Sequence, residues 1–210
     1  MSTNQEYTDS KVVAIASIAA ELHSVMNIAW GVSLAAKNAK VMSAQAGEDA
    51  LGFQPITNFI DEISQSAIQG VDEINHEALK LSRITVKEQR ASDAHQRFLS
   101  VISKNKDTAH IDSLTFGMKE VEDNLHKSQS EYRKCLNSLV SMLESMDECM
   151  LSAHAIASVS RIVTSNISGY SDKLGTVADD LDEAATSIKE KVSQSYIHLS
   201  HINIPGQRTR

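Results

Sequence analysis

The chain has 210 residues, room for one domain or two small ones, and a formal net charge of −7 with its Lys and Arg scattered along the sequence. No basic stripe exists to neutralise phosphates, so nucleic acid is not an expected partner. Two prolines, 4% aromatics and heavy use of Ala, Ser, Ile, Val, Leu and Met suit close helix–helix contact along a narrow seam, and suit a cupped ligand pocket poorly.

The first nine residues are polar and acidic, with no basic region ahead of an apolar stretch, so they do not read as a secretory signal. The most apolar window, residues 12–20, has about half the length of a membrane-spanning helix, and no membrane insertion is expected. From Ile15 a heptad seam begins: positions 15, 22, 29, 36 and 43 are Ile, Leu, Ala, Ala and Ser, and 18, 25, 32, 39 and 46 are Ile, Val, Val, Ala and Ala. A repeat of 3.5 residues specifies a coiled-coil-like bundle helix. Asp9 or Ser10 is a plausible cap. Lys37 and Lys40 fall on or beside the seam, either as edge residues whose stems snorkel outward or as contacts for an acidic partner. Trp30 stands before Gly31, as a filler or as an exposed interface anchor.

The periodicity breaks at residues 46–55, where Gly47, Gly52 and Pro55 lie close together, and this segment is expected to be a hairpin tip. A second periodic stretch follows at 56, 60, 63, 67, 70, 74, 78, 81 and 84, and continues less cleanly through Phe98 and Ile102. Residues 103–108 are polar, with good capping residues, and mark a second turn. One phase then runs from Met118 through Tyr132, Met146 and Ile167 to Ile188, with 121, 135, 142, 149, 156, 163, 170, 177 and 184 as its companion set. Residues 168–172 are the best third turn, although one very long helix would give the same phase. Residues 201–210 are expected to be a disordered tail. The fold class is therefore all-α: an elongated antiparallel bundle of coiled-coil hairpins, with a first hairpin over 8–102, its tip at 47–55, and long helices over 107–200 packed on it.

Chemistry-bearing patterns are sparse. There is no phosphate-cradling glycine loop and no nucleophile elbow. Glu73 and His76 are the single Glu-x-x-His step, where a carboxylate di-metal bundle needs two, so no cofactor, metal or catalytic set is expected. Cys135 and Cys149, 14 residues apart, read as small buried hydrophobes in a reducing compartment, with a pair across a dimer axis as the alternative.

Read together, Ile28, Ala29, Leu34, Asn38, Ala39, Val41, Ala44, Ala46, Gly47, Glu48, Gly52, Phe53, Ile56, Ile60 and Ile63 resemble the signalling hairpin tip of bacterial methyl-accepting chemotaxis receptors, over roughly residues 25–75. The chain departs from that pattern at Gly31, Val32, Ser33, Met42, Gln45, Leu51, Pro55, Phe59 and Asp61. The resemblance implies a cytoplasmic, non-enzymatic receptor-like signalling or adaptor protein. It implies a homodimer whose tip contacts the chemotaxis histidine kinase and its coupling adaptor, with Asn38, Gly47, Glu48, Gly52 and Phe53 at the tip; Leu51 and Phe59, which stand at altered tip positions, and Trp30, by its own chemistry, complete the expected tip or interface residues. The alternative is a structural helical interaction protein that keeps the hairpin without kinase coupling. A two-helix strip cannot bury both of its faces, so the hairpin must pack on the C-terminal helices, on a second copy, or on both.

Overall fold

The computed structural model describes residues 2–104, 112–165, 167, 169–200 and 202. Four helices and no strand occur among them: α1 (Ser2–Gln45), α2 (Gln54–Lys104), α3 (Asp112–Thr164) and α4 (Ser171–Ser200), with a 3-10 segment, Gly47–Phe53, between α1 and α2. Each helix packs on two neighbours, in the cyclic order α1, α2, α3, α4 and back to α1. This is an up-and-down antiparallel bundle of two hairpins whose turns meet at one end.

The seam of α1 is the simplest consequence of the sequence. Ile15, Ile18, Leu22, Val25, Ala29, Val32, Ala36, Ala39 and Ser43 are all buried, which is what a seven-residue repeat does when its stripe faces a bundle axis. On α2 the buried row runs from Ile56 to Thr85, and no residue beyond Thr85 is fully buried. On α3 burial begins at Ser128. The sealed core therefore occupies the end nearer the turns, while α2 and α3 continue past it as an arm in which Phe98 lies against Gly117. The core closes there on a polar layer. Lys11 Nζ is buried, 3.6 Å from Glu88 Oε2 and 4.6 Å above the Tyr132 ring, so a carboxylate and a π face both stabilise its charge.

One register differs from expectation. Of the expected companion set, Cys135, Val177 and Ala184 are buried, but on α3 beyond Cys135 the buried companions are Leu143, Met150, Ala157 and Thr164, while Met142, Cys149, Ile156 and Val163 are half-buried. A helix in a square bundle meets two neighbours. The +4 positions face the axis, while Met142 and Cys149 turn toward α2 and line a groove with it.

Both reversals rest on a glycine in the left-handed region. Gly47 has φ +66°; from there the 3-10 segment folds Ala50 and Phe53 inward as fully buried plugs, and Ser43 Oγ donates to Ala50 O at 2.9 Å. Gly169 has φ +77° between the end of α3 and Ser171, so the C-terminal half is two helices, with Ile167 and Leu174 both buried across the loop in a continuing phase. The expected turn at 103–108 and the tail at 201–210 fall outside the described residues, apart from α2's last turn and buried Ile202.

Two glycine substitutions should have opposite signs. Gly47→Ala forces a Cβ into a left-handed conformation and is expected to cost about 1 kcal/mol. Gly31→Ala lies inside α1, where an added Cβ meets nothing within 4 Å, and should stabilise by roughly 0.5–1 kcal/mol. Urea denaturation of both variants checks the pair.

Candidate functional site

The resemblance pointed to the hairpin end, and the structure separates its residues into two kinds. Phe53 is fully buried, so it is part of the core and presents nothing to a partner. Trp30, Leu51 and Phe59 are exposed by 56%, 56% and 50%, and Asn38, Gly47, Glu48 and Gly52 are exposed as well. Gly52 also sits against α3, where an added Cβ would lie 3.8 Å from Val163 Cγ1. Trp30 is thus a surface residue and not a core filler. Leu34, one turn further, and Val41 continue its row, exposed by 62% and 57%.

Helical geometry explains that row. The seam of α1 points to the axis, positions 33, 37 and 40 turn to α2, positions 28, 31 and 35 turn to α4, and 30, 34, 38 and 41 are left on the outside. The α2 flank is tied down: Ser33 Oγ donates to Asp61 Oδ1 at 2.7 Å, Lys37 Nζ lies 4.0 Å from the same oxygen, and Lys40 Nζ donates to Asn58 Oδ1 at 3.0 Å. Both lysines are therefore used within the hairpin. The α4 flank is open. A groove of about 390 Å³ runs between α1 and α4, with Asn27, Gly31 and Ala35 on one wall and Asp180 and Glu183 on the other.

Across the bundle, α3 and α4 are locked by a charged cluster. His154 Nδ1 is 2.6 Å from Asp182 Oδ1, and Arg161 donates through Nε to Asp179 at 2.9 Å and through Nη2 to Asp182 at 2.8 Å. The hydrogen bond from His154, then those from Arg161, hold the Asp182 carboxyl below the usual aspartate range. Both thiols face backbone carbonyls of α2: Cys135 Sγ lies 3.4 Å from Glu77 O and Cys149 Sγ 3.9 Å from Ile63 O. Burial, first of all, pushes Cys135 up to about 12, and it raises Cys149 too. Glu73 accepts from Gln69 at 2.7 Å and Glu77 pairs with Lys80 at 3.0 Å. No three His, Cys, Asp or Glu among the described residues are grouped to hold a metal.

Folding also creates a charge pattern that the linear sequence conceals. The half of the bundle nearer the turns, residues 25–73 and 140–188, holds 14 of the carboxylate residues and only 4 Lys or Arg. The remainder holds 13 and 16, together with seven of the eight histidines. In sequence order the cations look scattered, because two acidic segments some 70 residues apart only become neighbours when α3 and α4 fold back on α1 and α2. The acidic surplus also looks incidental until the partners are known. Of the four cations at that end, Lys37 and Arg161 already face carboxylates.

α1 holds one further correction. An 18-residue window within Ser10–Gln45 reaches a mean hydropathy of 1.6, so by length and composition α1 is apolar enough to cross a membrane, a longer apolar run than residues 12–20 suggested. A third of that window is buried in the bundle. Alanines and glycines extend the apolar run because a close-packed seam needs small residues. Compared with protein-family models, curated proteins and solved structures, the chain matches none.

Two measurements probe these environments. Asp182 has a depressed carboxyl, so its contribution is complete above the ordinary aspartate value of about 4 and is lost as pH falls through the lower folded value. Asp182→Asn should therefore flatten the loss of stability below about pH 4 while lowering stability at neutral pH, as followed by urea unfolding across pH. A thiol reagent at about pH 8 should label the native protein slowly at both cysteines and label both at once in denaturant, because a raised thiol pKa leaves almost no thiolate.

Proposed function

We propose that this chain is a non-catalytic helical interaction protein of the cytoplasm that works by presenting the outer face of α1, near the hairpin turn, to a partner protein. The observation that carries this reading is Trp30. A large amphipathic ring, 56% exposed, is the residue type most often found anchoring an interface, and the exposed leucine one turn later widens the apolar surface around it. The interior is closely packed. A void among Ala29, Ala67, Met150 and Leu181 measures about 10 Å³, about the space of one water probe, so the core there is filled side chain to side chain.

A narrower version takes the partner to be the chemotaxis histidine kinase or its coupling adaptor. One observation favours it: the chain reverses at Gly47–Phe53, within the stretch whose residues resemble the receptor tip. The bundle modifies that picture. The α1–α2 hairpin finds its second pair of helices in α3 and α4, so burial alone no longer calls for a homodimer. Light scattering should then give a monomer mass, and a stable dimer would restore the receptor-like pairing.

The test is a pull-down of a purified chemotaxis coupling adaptor by the full chain. Trp30→Ala and Phe59→Ala should each reduce capture by about tenfold with helicity retained, in keeping with the loss of an exposed anchor. Phe53→Ala should instead lower stability by about 3–5 kcal/mol, as truncation of a buried aromatic does. No capture by the wild-type chain discards the kinase-pathway version. Capture untouched by Trp30→Ala discards the α1 surface.

A further inference from the structure

The outer row of α1 and the groove beside it form a single surface. Trp30 and Leu34 stand exposed on the outer row of α1 as an apolar rim beside the groove and outside its lining, Gly31 and Ala35 in the adjoining row form a floor without bulk, and Asp180 and Glu183 of α4 form the far wall. An added Cβ at Gly31 meets nothing within 4 Å, so the floor is open. From Asn27 to Asn38 this surface runs about three turns, roughly 16 Å at 1.5 Å per residue, the footprint of a short helix laid in a groove. We propose that it docks one cationic amphipathic helix of a partner protein. The proposal rests on the chain being an interaction protein and adds the chemistry of its partner.

Charge selects this occupant. Asp180 and Glu183 are exposed, and Arg161, the nearest cation on α3, is turned to Asp179 and Asp182. The surrounding half of the bundle carries ten more carboxylate residues than Lys and Arg together. That field attracts a basic helix and raises its encounter rate, and it repels both an anionic lipid surface and the same end of a second copy. A partner with leucines on one face and lysines on the other would seat the first against Trp30 and Leu34 and the second against the α4 wall. Without the apolar rim the acidic wall would give only salt-sensitive, unspecific attraction; without the wall the rim would accept an apolar helix of either sign.

Trp30 is the chain's single tryptophan, so its fluorescence reports the site directly. The probe is a tryptophan-free Leu/Lys amphipathic peptide of about 18 residues, titrated into the full chain, with a Leu/Glu peptide of the same pattern as the control. The expected result is a saturable blue shift with the Leu/Lys peptide, none with the Leu/Glu peptide, and weakening as salt rises from about 50 to about 300 mM. Asp180→Asn combined with Glu183→Gln, and separately Gly31→Leu, should each weaken binding by about tenfold, whereas Glu120→Gln with Glu122→Gln, on the distant α2–α3 arm, should not. Circular dichroism of each variant confirms the fold. Equal binding of both peptides, an unaffected Asp180/Glu183 variant, or no binding at all overturns the proposal. A blue shift that grows with protein concentration in the absence of peptide assigns the surface to a second copy and overturns it too. If the Leu/Lys peptide fails while adaptor capture still requires Trp30, the interaction surface stands and only the cationic-helix assignment falls.

Discussion

Every feature of this molecule depends on closing four apolar stripes around one axis within a single chain. A helix whose seam is Ile, Val, Ala and Ser gains little from pairing with one other helix, because half of each stripe stays wet. Set in a square, the same stripes reach zero or near-zero exposure at Ile18, Leu22, Ile60, Ile74, Leu139, Leu143 and Leu174. Burying a branched or leucine side chain contributes about 1.5–3 kcal/mol relative to leaving it exposed. The two glycine reversals matter because they bring the second hairpin into register with the first. Small residues matter because alanine at positions 29, 36, 39, 67, 153, 157, 178 and 185 lets the backbones approach.

The fold was largely legible in the sequence because the heptad carries both period and direction. Ile15 through Ser43 needed only a count of sevens, and Gly47 marked the reversal that its positive φ requires. The register of α3 was not legible in the same way. A continuous apolar phase from Tyr132 to Ile188 identifies a stripe, but whether its companion lies three or four residues on depends on which two neighbours the helix meets, and that is a property of the assembled square. The break at Gly169 shows the same ambiguity, since Ile167 and Leu174 keep phase across a turn as well as they would across an unbroken helix.

The site was legible only in part. Trp30 stood out by composition, yet whether it filled or faced outward depended on which faces of α1 the neighbouring helices cover. Phe53, which has the same aromatic character, went the other way because the 3-10 segment turns it back into the end of the core. Lys37 and Lys40 could be edge residues or partner contacts from the sequence, and they lie at the exposed α1–α2 edge beside Asp61 and Asn58, residues about 20 positions away that only a hairpin brings near. The acidic end was invisible from any local pattern, because it is the sum of two segments joined by folding.

The apolar character of α1 and its exposed row have a common origin. A helix in a square bundle has one face on the axis, two flanks on neighbours and one face outside, and α1 is apolar on more of these than burial requires. Ile15, Leu22 and Ala36 are explained by the axis, but Trp30, Leu34 and Val41 are not, and these three raise the hydropathy of the helix without adding to the core. On α4, by contrast, the corresponding outward positions include Asp172, Asp179, Asp180 and Glu183. Two adjacent helices of one bundle therefore show opposite solvent chemistry side by side, with a shallow groove where they meet. Exposed tryptophan and leucine lower solubility and contribute little to folding, and exposed carboxylates a turn apart, such as Asp180 and Glu183, repel each other, so neither feature stabilises the bundle. A single surface that is apolar on one side and positive on the other would relieve both.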